Sequence, residues 1–448
     1  MAGRRKTCAA ALLLLALWLM FSGCSRFASV NDLLVPPRLS AENARLRTAF
    51  EHAYGKDVQY RSAVSGEYLS SFLIEDLDAD GEQEALVFYT PNALDTTLHV
   101  ALMDKTDAGW TAVQSLELRA ADIESLQLSD MDRDGETEIL LRSGVVENNC
   151  TLSILTCGIE PLGLTKLFEN NCTALLQADL DDDGQTQFVT IDLIPDAGST
   201  SPQARVLQKT QSGIVVRDNH YLDAQAVSYR DILMQRTDSG CVLYADALCA
   251  DGGMMTEVIV WDRASASMST PLLDRRTRSN TQTFRPSRIV CRDLDGDGVP
   301  EIPCGASPLV TRRNSGDDDN KQPNVTQWCT FRDGSLQPVC RSLVREDGKC
   351  MFVIPDDWSG QFSVATDTDP DRWDFYQIDP RTHAQTGYLF SVIFTTETQW
   401  EQNKDSDFVD YSPLVTAGED MLLVYGVNTE SSLVPDTQIL RDAFVMLQ

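Results

Sequence analysis

The sequence predicts a mainly β protein that consists of a β-propeller of roughly five to seven blades and a small C-terminal α+β domain. Three features predict this fold class. The phrase Asp-x-Asp-x-Asp-Gly, followed three residues later by Glu or Gln, occurs four times. Runs of β-branched and aromatic residues flank the copies, at about four runs in fifty residues, which is typical of propeller blades. Turns that contain Gly separate many of these runs and indicate antiparallel hairpins.

The four copies of the phrase are spaced as a structural repeat. We name them loop 1 (76–84), loop 2 (130–138), loop 3 (179–187) and loop 4 (293–301). Loops 1 to 3 begin about 50 residues apart, and loop 4 follows after roughly twice that interval, so a degraded copy is expected midway. Asp246, Asp251 and Glu257 have the spacing of that copy, but the middle carboxylate is missing. We therefore expect a blade there without a metal ion.

The loops have the composition of calcium sites. Three carboxylates at alternate positions repel one another unless a cation lies between them, and the following Gly permits the sharp turn that wraps the chain around it. Calcium accepts about six to eight oxygen ligands, and carboxylates suit it better than they suit zinc or copper. Catalysis would need an open coordination position near a nucleophile, so we expect structural calcium.

Strand-like runs enter and leave the loops. The runs that enter are Ser71–Ile74, Leu126–Leu128, Ala174–Gln177, Val242–Ala245 and Ser287–Cys291. The runs that leave are Ala85–Tyr89, Ile139–Arg142, Phe188–Ile191 and Val258–Trp261. Further runs stand before Gly-containing turns, at His99–Met103, Ala204–Gln208 and Cys329–Phe331. This order predicts consecutive antiparallel strands.

The loop and its period resemble the FG-GAP and VCBS-type repeats of integrin-like β-propellers, over residues 69–345. The Phe-Gly and Gly-Ala-Pro signatures of integrin blades are not evident. The resemblance implies three or four structural Ca²⁺ ions, held by side chains at positions 1, 3, 5 and 9 and a carbonyl at position 7. The ligands it implies are Asp76, Asp78, Asp80 and Glu84; Asp130, Asp132, Asp134 and Glu138; Asp179, Asp181, Asp183 and Gln187; and Asp293, Asp295, Asp297 and Glu301. Because Gln187 is neutral, loop 3 is expected to be the weakest site.

The N-terminus predicts a lipoprotein-type signal peptide over 1–23. A basic start (residues 4–6) precedes an apolar run, Ala9–Phe21, that is shorter than the about 20 residues a spanning helix needs. The following segment ends in Ser-Gly-Cys24 and resembles the lipobox of bacterial lipoproteins, which implies lipidation of Cys24. A plain secretory signal cleaved near Gly23 is the alternative. We expect an exported protein, attached to the membrane at the bacterial cell surface by a lipid anchor.

The rest of the chain divides into four predicted segments. A tether (24–39) leads to an N-terminal helix (40–55) that Ser40 can cap and Gly55 can end. The propeller (56–345) is followed by the α+β domain (346–448). Strand runs of that domain are Met351–Ile354, Gln361–Ala365, Trp373–Ile378, Tyr388–Thr395 and Met421–Val427. A final helix is predicted from Pro435 onward, with one apolar face of Ile439, Leu440, Ala443, Phe444 and Leu447.

Charge and cysteine content narrow the function classes. The chain has 37 basic and 67 acidic residues and a formal net charge of −30, which argues against nucleic acid or an anionic membrane surface as a partner. Ten cysteines follow the leader without any C-x-x-C spacing, so zinc and redox chemistry have little support. Export permits disulfide bridges, and buried thiols are an equal alternative.

A few residues are candidates for other chemistry. The four histidines are scattered, and G-x-S-x-G, Walker and H-E-x-x-H motifs are absent from the sequence. The turn at 107–110 weakly resembles the Asp-box of sialidases, and an ordinary hairpin turn is the simpler interpretation. An arginine-rich segment could bind an acidic sugar or wall polymer, or could be a solvated face. Its residues are Arg275, Arg276, Arg278, Arg285, Arg288 and Arg292. Trp110, Trp261, Trp328, Trp373 and Trp400 could stack on sugars or be buried in strands.

These features favour a cell-surface binding or scaffolding module over an enzyme. Its ligand could be a glycan, a wall polymer or a protein, and the sequence does not select among them. The alternative is an extracellular glycosidase or lyase on a propeller scaffold. That activity would require two carboxylates that face each other in a pocket outside the four loops.

Overall fold

The computed structural model describes residues 41–447 except 93, 96, 119, 121, 147–148, 160, 194–200, 307–308, 310–324, 367–368, 370 and 435. The predicted signal peptide, the predicted tether and Cys24 lie outside these residues. Within them the chain is mainly β, and none of the helices there is long and apolar enough to cross a membrane.

The described chain begins with one helix, α1 (Ala41–Tyr54), where the sequence predicts a helix over 40–55. Gly55 ends it with φ of 95°, and its N–H donates to the carbonyl of Glu51 at 3.0 Å. Phe50 is fully buried, and its ring meets that of Tyr89 edge-on at 5.0 Å. The helix therefore packs against the first sheet through an aromatic contact.

The strands follow in chain order. The first fourteen are β1 (Gln59–Tyr60), β2 (Ala63–Ser65), β3 (Phe72–Glu75), β4 (Glu84–Thr90), β5 (Leu98–Thr106), β6 (Gly109–Leu118), β7 (Asp122–Ser129), β8 (Glu138–Val146), β9 (Asn149–Ile159), β10 (Leu162–Asn171), β11 (Ala174–Ala178), β12 (Gln187–Asp192), β13 (Gln203–Thr210) and β14 (Gly213–Tyr221).

The second half of the chain is similarly rich in strands. They are β15 (Ala226–Thr237), β16 (Gly240–Cys249), β17 (Met254–Asp262), β18 (Ser267–Ser269), β19 (Ile302–Gly305), β20 (Val325–Arg332), β21 (Ser335–Val344), β22 (Cys350–Val353), β23 (Phe362–Ala365), β24 (Arg372–Ile378), β25 (Gln385–Thr396), β26 (Ser412–Ala417), β27 (Asp420–Tyr425) and β28 (Phe444–Met446). A 3₁₀ turn (Asp356–Trp358) and two short helices, α2 (Glu397–Asn403) and α3 (Gln438–Ala443), accompany them.

The described strands form six sheets of four or five strands. Sheet 1 has the order β1-β4-β5-β6, with β3 also on the edge of β4, and sheet 2 has the order β10-β9-β8-β7-β2. Sheet 3 is β11-β12-β13-β14, and sheet 4 is β15-β16-β17-β18. Sheet 5 is β19-β20-β21-β22-β28, and sheet 6 is β23-β24-β25-β27-β26. Neighbouring strands are antiparallel except β2 and β7, which are parallel. Consecutive strands in one sheet are the arrangement expected of propeller blades, whereas the number of blades and the closure of a ring stay predictions.

Polar contacts connect successive sheets. Between sheets 1 and 2, Gln114 on β6 donates to the carbonyl of Leu164 on β10 at 3.2 Å and accepts from its N–H at 2.9 Å. Between sheets 3 and 4, the N–H of Met268 on β18 donates to the carboxylate of Asp218 on β14 at 2.6 Å. Each contact satisfies backbone groups at a sheet edge that would otherwise be open.

Apolar contacts continue this series. Tyr244 and Val258 of sheet 4 share one buried cluster with Ile302 and Phe331 of sheet 5. A larger cluster joins sheet 5 to sheet 6 and to α3, and its members include Phe352, Phe375 and Leu440. Burial of side chains of this size contributes about 1.5–3 kcal/mol each, so these clusters hold neighbouring sheets together.

The expected degraded loop is a hairpin inside sheet 4. Asp246 lies within β16 and pairs with Thr256, and Glu257 lies within β17, so the turn between these strands occupies only residues 250–253. In sheets 1 to 3 the loops join β3 to β4, β7 to β8 and β11 to β12. At that place in sheet 4 the chain makes a two-residue turn, 238–239. That this blade lacks a metal ion stays a prediction, and Asp246, Asp251 and Glu257 belong to the opposite end of the sheet.

The run Ser287–Cys291 does not form a strand in the structure. The residues on either side pair only as isolated bridges, Arg285 with Met254 and Arg292 with Glu301. Side chains satisfy its backbone instead, because Arg285 donates to the carbonyl of Ile289 and Asp246 accepts from the N–H of Cys291, both at 2.6 Å. The β-branched composition was therefore overridden by buried polar partners.

The predicted final helix is shorter than its apolar pattern suggests. Helix α3 covers only Gln438–Ala443, and Phe444 begins β28, which pairs with β22. The ring of Phe444 lies 4.9 Å from that of Phe352 across this pair. Burial of the aromatic ring in the sheet decides the local structure there. Since β22 and β28 extend sheet 5, the proposed border at residue 346 stays a prediction.

Candidate metal centres

Loops 1 to 4 have the same backbone shape. In each, the residue at position 4 is left-handed, with φ of 61° at Ala79, 62° at Arg133, 54° at Asp182 and 77° at Gly296. Position 6 is a Gly with φ between 82° and 93° in all four loops. Two left-handed residues in six coil the chain so that its side chains converge. The Gly of the phrase is required for this conformation, because other residues adopt it only at a cost.

The same hydrogen bonds recur in the four loops. The first Asp accepts from the N–H of the Gly at 2.7–3.1 Å, and the Asp at position 5 accepts from the N–H at position 7 at 2.8–2.9 Å. The residue at position 9 accepts from the N–H at position 2 at 2.7–2.9 Å. Gln187 fills this last role with its Oε1, at 2.7 Å from the nitrogen of Leu180. Its Nε2 is buried without a hydrogen-bond partner.

Three of the loops bring carboxylates close enough to share a metal ion. In each set, one oxygen per residue lies within 4.8 Å of the others. The sets are Asp76, Asp78 and Glu84; Asp130, Asp132 and Glu138; and Asp293, Asp295 and Asp297. The remaining predicted ligands of these loops, Asp80, Asp134 and Glu301, do not belong to the sets. The described residues show no such set in loop 3.

Loop 1 brings buried carboxylates close to one another. Glu84 is 1% exposed, and burial raises its pKa to about 7 against the opposing hydrogen bond from Leu77. The charges of the three loop aspartates contribute a smaller part of this rise in the pKa. Burial also raises the pKa of Asp78. Within the described part of the chain, no Lys or Arg forms an ion pair with the four predicted ligands. The carboxylates of loop 1 therefore fit a bound metal ion, which would remove their mutual repulsion.

Aspartates of loop 3 form ion pairs with arginines from sheet 3 and sheet 4. Asp181 forms an ion pair with Arg217 and accepts from the indole N–H of Trp261 at 2.9 Å. Asp182 forms ion pairs with Arg236 and Arg263 of sheet 4. The middle carboxylate, Asp181, thus has protein partners of its own. That loop 3 is the weakest of the four sites stays a prediction.

A lysine that sequence analysis missed lies among the carboxylates of loop 2. Lys209 of β13 places its Nζ 2.7–3.1 Å from carboxylate oxygens of Asp132, Asp134 and Glu138. Burial raises the pKa of Glu138, and the lysine offsets part of that rise. Lys209 is 75 residues from Asp134 along the chain, so no local sequence pattern indicates this contact. A comparison of strand registers between sheets would have been needed to find it.

The arginines of the arginine-rich segment differ in their exposure and contacts. Arg285 is 1% exposed and forms an ion pair with Asp246 at 2.7 Å inside the protein, so it is not accessible to an external anion. Arg278 lies over the ring of Tyr221 at 4.9 Å. Arg275, Arg276 and Arg288 are exposed, whereas Arg292 is half-buried. An anion site at the exposed members stays a prediction, without Arg285.

Most of the candidate sugar-binding tryptophans are buried. Trp110, Trp261, Trp328 and Trp373 are at most 8% exposed, and Trp400 is half-buried. The indole N–H of Trp110 donates to Glu42 of α1 at 2.9 Å. The pairing of β5 with β6 makes the turn at 107–110 part of an ordinary hairpin. These four tryptophans are therefore buried in strands and are not available to stack on sugars.

The ten cysteines after the leader are thiols in the structure. All are buried except Cys340, which is half-buried. Of the two alternatives left open by the sequence, this arrangement matches buried thiols, which pack as small apolar side chains.

No family model matches this chain, and neither does any curated protein. Solved structures with some likeness include the Dos1 propeller, with a TM-score of 0.31, 11% identity, and coverage of 82% of this chain and 83% of that one. A candidate 6-phosphogluconolactonase from Bacteroides fragilis NCTC 9343 has a TM-score of 0.26 and 12% identity, over 69% of this chain and 94% of its own. An exo-β-1,3-galactanase from Clostridium thermocellum has a TM-score of 0.20 and 12% identity, over 81% and 80%. Likenesses this weak carry no inference about function.

Proposed function

We propose that this protein is an exported, lipid-anchored β-propeller of the bacterial cell surface. Calcium ions in its loops stabilise the sheets, and a surface of the propeller binds or scaffolds a glycan, a wall polymer or a protein. Support for export and anchoring comes from the basic start, the apolar run and Cys24.

Loop 1 is the observation that carries the calcium part of the proposal. Three of its carboxylates converge within 4.8 Å, two of them are almost fully buried, and no basic side chain of the described residues neutralises them. Buried carboxylates that are left unpaired cost several kcal/mol, on the order of what a bound divalent ion would recover. Loop 4 has a similar set, with all three carboxylates exposed.

Binding is favoured over catalysis because the triads of acidic groups found among the described residues all belong to these loops. Carboxylates saturated by a structural ion are not free to act as acid, base or nucleophile. A glycosidase or lyase would use a second carboxylate pair that a substrate can reach. Asp223 and Glu257 are neighbouring carboxylates outside the loops, but they are at most 2% exposed and do not face solvent.

The calcium part is tested by thermal unfolding of the full chain with calcium and with a chelator. The melting temperature of the wild type is expected to fall when calcium is chelated. Asp78→Asn is expected to show a smaller calcium response, by the stabilisation of about one site, which is about 2.7 kcal/mol when calcium is at 100 times its Kd. Glu82→Gln is the matched control, because this exposed residue is in the same loop but its side chain is not a predicted ligand. Equal melting with calcium and chelator in the wild type would contradict the proposal.

The binding part is tested on arrays of glycans and wall polymers, with calcium and with chelator. We expect a retained ligand in calcium and loss of binding on chelation, because the propeller surface depends on the loops. Release of shortened or unsaturated oligosaccharides in the same experiment would instead indicate the polysaccharide-acting enzyme.

A further inference from the structure

The ammonium group of Lys209 lies where a cation would be expected in loop 2. Its Nζ is 2.7 Å from Glu138 Oε1, 2.7 Å from Asp134 Oδ2 and 3.1 Å from Asp132 Oδ1. The lysine side chain is only 8% exposed, and Glu138 is fully buried. Three of the four predicted ligands of this loop therefore share one protein cation.

The position of Lys209 is defined by strand register. In sheet 3, Gln187 at position 9 of loop 3 pairs with Gln208, and Lys209 is the next residue of β13. In sheet 2, Glu138 at position 9 of loop 2 pairs with Thr156, so the residue that corresponds to Lys209 is Cys157. Cys157 is buried in one cluster with Leu77 of loop 1. Lys209 thus lies beside loop 2, the loop of the preceding sheet, as a cation. Cys157 lies in the same way beside loop 1, as a neutral thiol.

A lysine and a calcium ion cannot occupy loop 2 together. Glu138 Oε2 and Asp134 Oδ1 already accept from the backbone N–H groups of Met131 and Glu136. Calcium, which binds carboxylate oxygens at about 2.3–2.6 Å, would therefore compete for the oxygens that face the ammonium group. The two cations would also repel each other across a short, poorly hydrated distance. Moving Lys209 out would require its buried side chain to leave the space between sheets 2 and 3.

We propose that Lys209 takes the place of the metal ion in loop 2, so that this loop is stabilised without calcium while loop 1 depends on it. The inference rests on the proposed calcium loops and makes them unequal. Sheets 2 and 3 would keep their contact when calcium is scarce, because their cation is part of the chain. Calcium would then control only the loops that lack such a residue.

The test is the number of calcium ions bound per full chain, measured by native mass spectrometry and by titration calorimetry. Lys209→Met keeps the length of the side chain and removes its charge. It is expected to bind one calcium ion more than the wild type, and to melt at a lower temperature than the wild type in chelator. Asp132→Asn is expected to leave the calcium number of the wild type unchanged. In the Lys209→Met background it is expected to abolish the additional ion.

Lys166→Met is the matched control, because Lys166 is paired with Glu169 at 2.6 Å on β10 and its substitution removes the same charge outside the loops. It should leave the calcium number unchanged. The inference is overturned if Asp132→Asn lowers the calcium number of the wild type, or if folded Lys209→Met binds no more calcium than the wild type does. If the wild type binds none and Lys209→Met binds one, the role of Lys209 stands and the proposed calcium stabilisation of the wild type fails.

Discussion

Arg285 is a buried cation whose hydrogen bonds all end within the protein. It donates to the Asp246 carboxylate at 2.7 Å and to the carbonyls of Ile289 and Pro303 at 2.6 and 3.0 Å. Thr256 and Thr283 supply two further oxygen acceptors. Such a pair stabilises less than its contacts suggest, because both ions were removed from water. Loss of one partner alone is far more costly, since it leaves the other charge buried and unpaired.

We therefore expect Arg285→Met to lower the free energy of unfolding by about 3–5 kcal/mol. The measurement is chemical denaturation at constant calcium. The control is Arg288→Met, an exposed arginine three residues away, which should change stability by less than about 0.5 kcal/mol. The double variant with Asp246→Leu should recover part of the loss. Similar values for the two arginine variants would mean that the buried pair does not determine stability.

At this scale the sequence predicts the residues of the loops but not their partners. Asp, Gly and Glu of one loop lie within nine positions, so their spacing alone defines the turn and the convergence of the side chains. Lys209 meets Asp134 from 75 residues away, and its basic character is shared with many surface residues. Arg285 similarly reads as a member of a basic segment until its burial beside Asp246 is known.

In sheet 4 the hairpin between β15 and β16 lies where sheets 1 to 3 have loops 1 to 3. Gly240 follows its two-residue turn with φ of 152°, and a Cβ atom at this position would lie 2.2 Å from the carbonyl oxygen of Trp261. Gly213 follows another two-residue turn, between β13 and β14, with φ of 112°, and no atom lies within 4 Å of its position for a Cβ. The two glycines are equivalent in register but differ in the space around them.

Gly240→Ala should consequently destabilise the protein more than Gly213→Ala does. Both variants incur backbone strain of about 1–3 kcal/mol, and Gly240→Ala should add about 1–3 kcal/mol because a backbone atom of β17 must move. Chemical denaturation of the two variants under identical conditions measures the difference. Equal losses would show that β17 can move without cost at this point.

Elements that are defined by local pattern were predictable, and elements that are defined by distant pairing were not. Helix α1, with Gly55 directly after it, and most strand runs correspond to the structure because turn residues and apolar alternation are local signals. The end of α3 and the segment Ser287–Cys291 differ. There, pairing with β22 and the buried Asp246 network decide the conformation, and both partners are far away in sequence.

The whole molecule combines a large negative charge with loops that are bonded to one another. The N–H of Thr137 in loop 2 donates to the carbonyl of Leu77 in loop 1 at 3.1 Å, and Thr186 in loop 3 donates to Met131 in loop 2 at 3.0 Å. These bonds link loop 1 to loop 2 and loop 2 to loop 3 directly. The net charge of −30 opposes this arrangement through general repulsion as well as through repulsion inside each loop.

Salt and calcium should therefore stabilise the protein by separable amounts. At about 0.5 M NaCl the screening length is a few Å, so repulsion between distant charges is suppressed while buried carboxylates within 4.8 Å of one another are screened much less. In chelator, NaCl should raise the melting temperature of the full chain to a plateau. Millimolar calcium should raise it beyond that plateau, and magnesium at the same concentration should do so less, because it demands octahedral geometry and retains water. A plateau in NaCl that equals the melting temperature in calcium would mean that the ion acts by screening alone, and the loops would then be acidic turns without a bound cation.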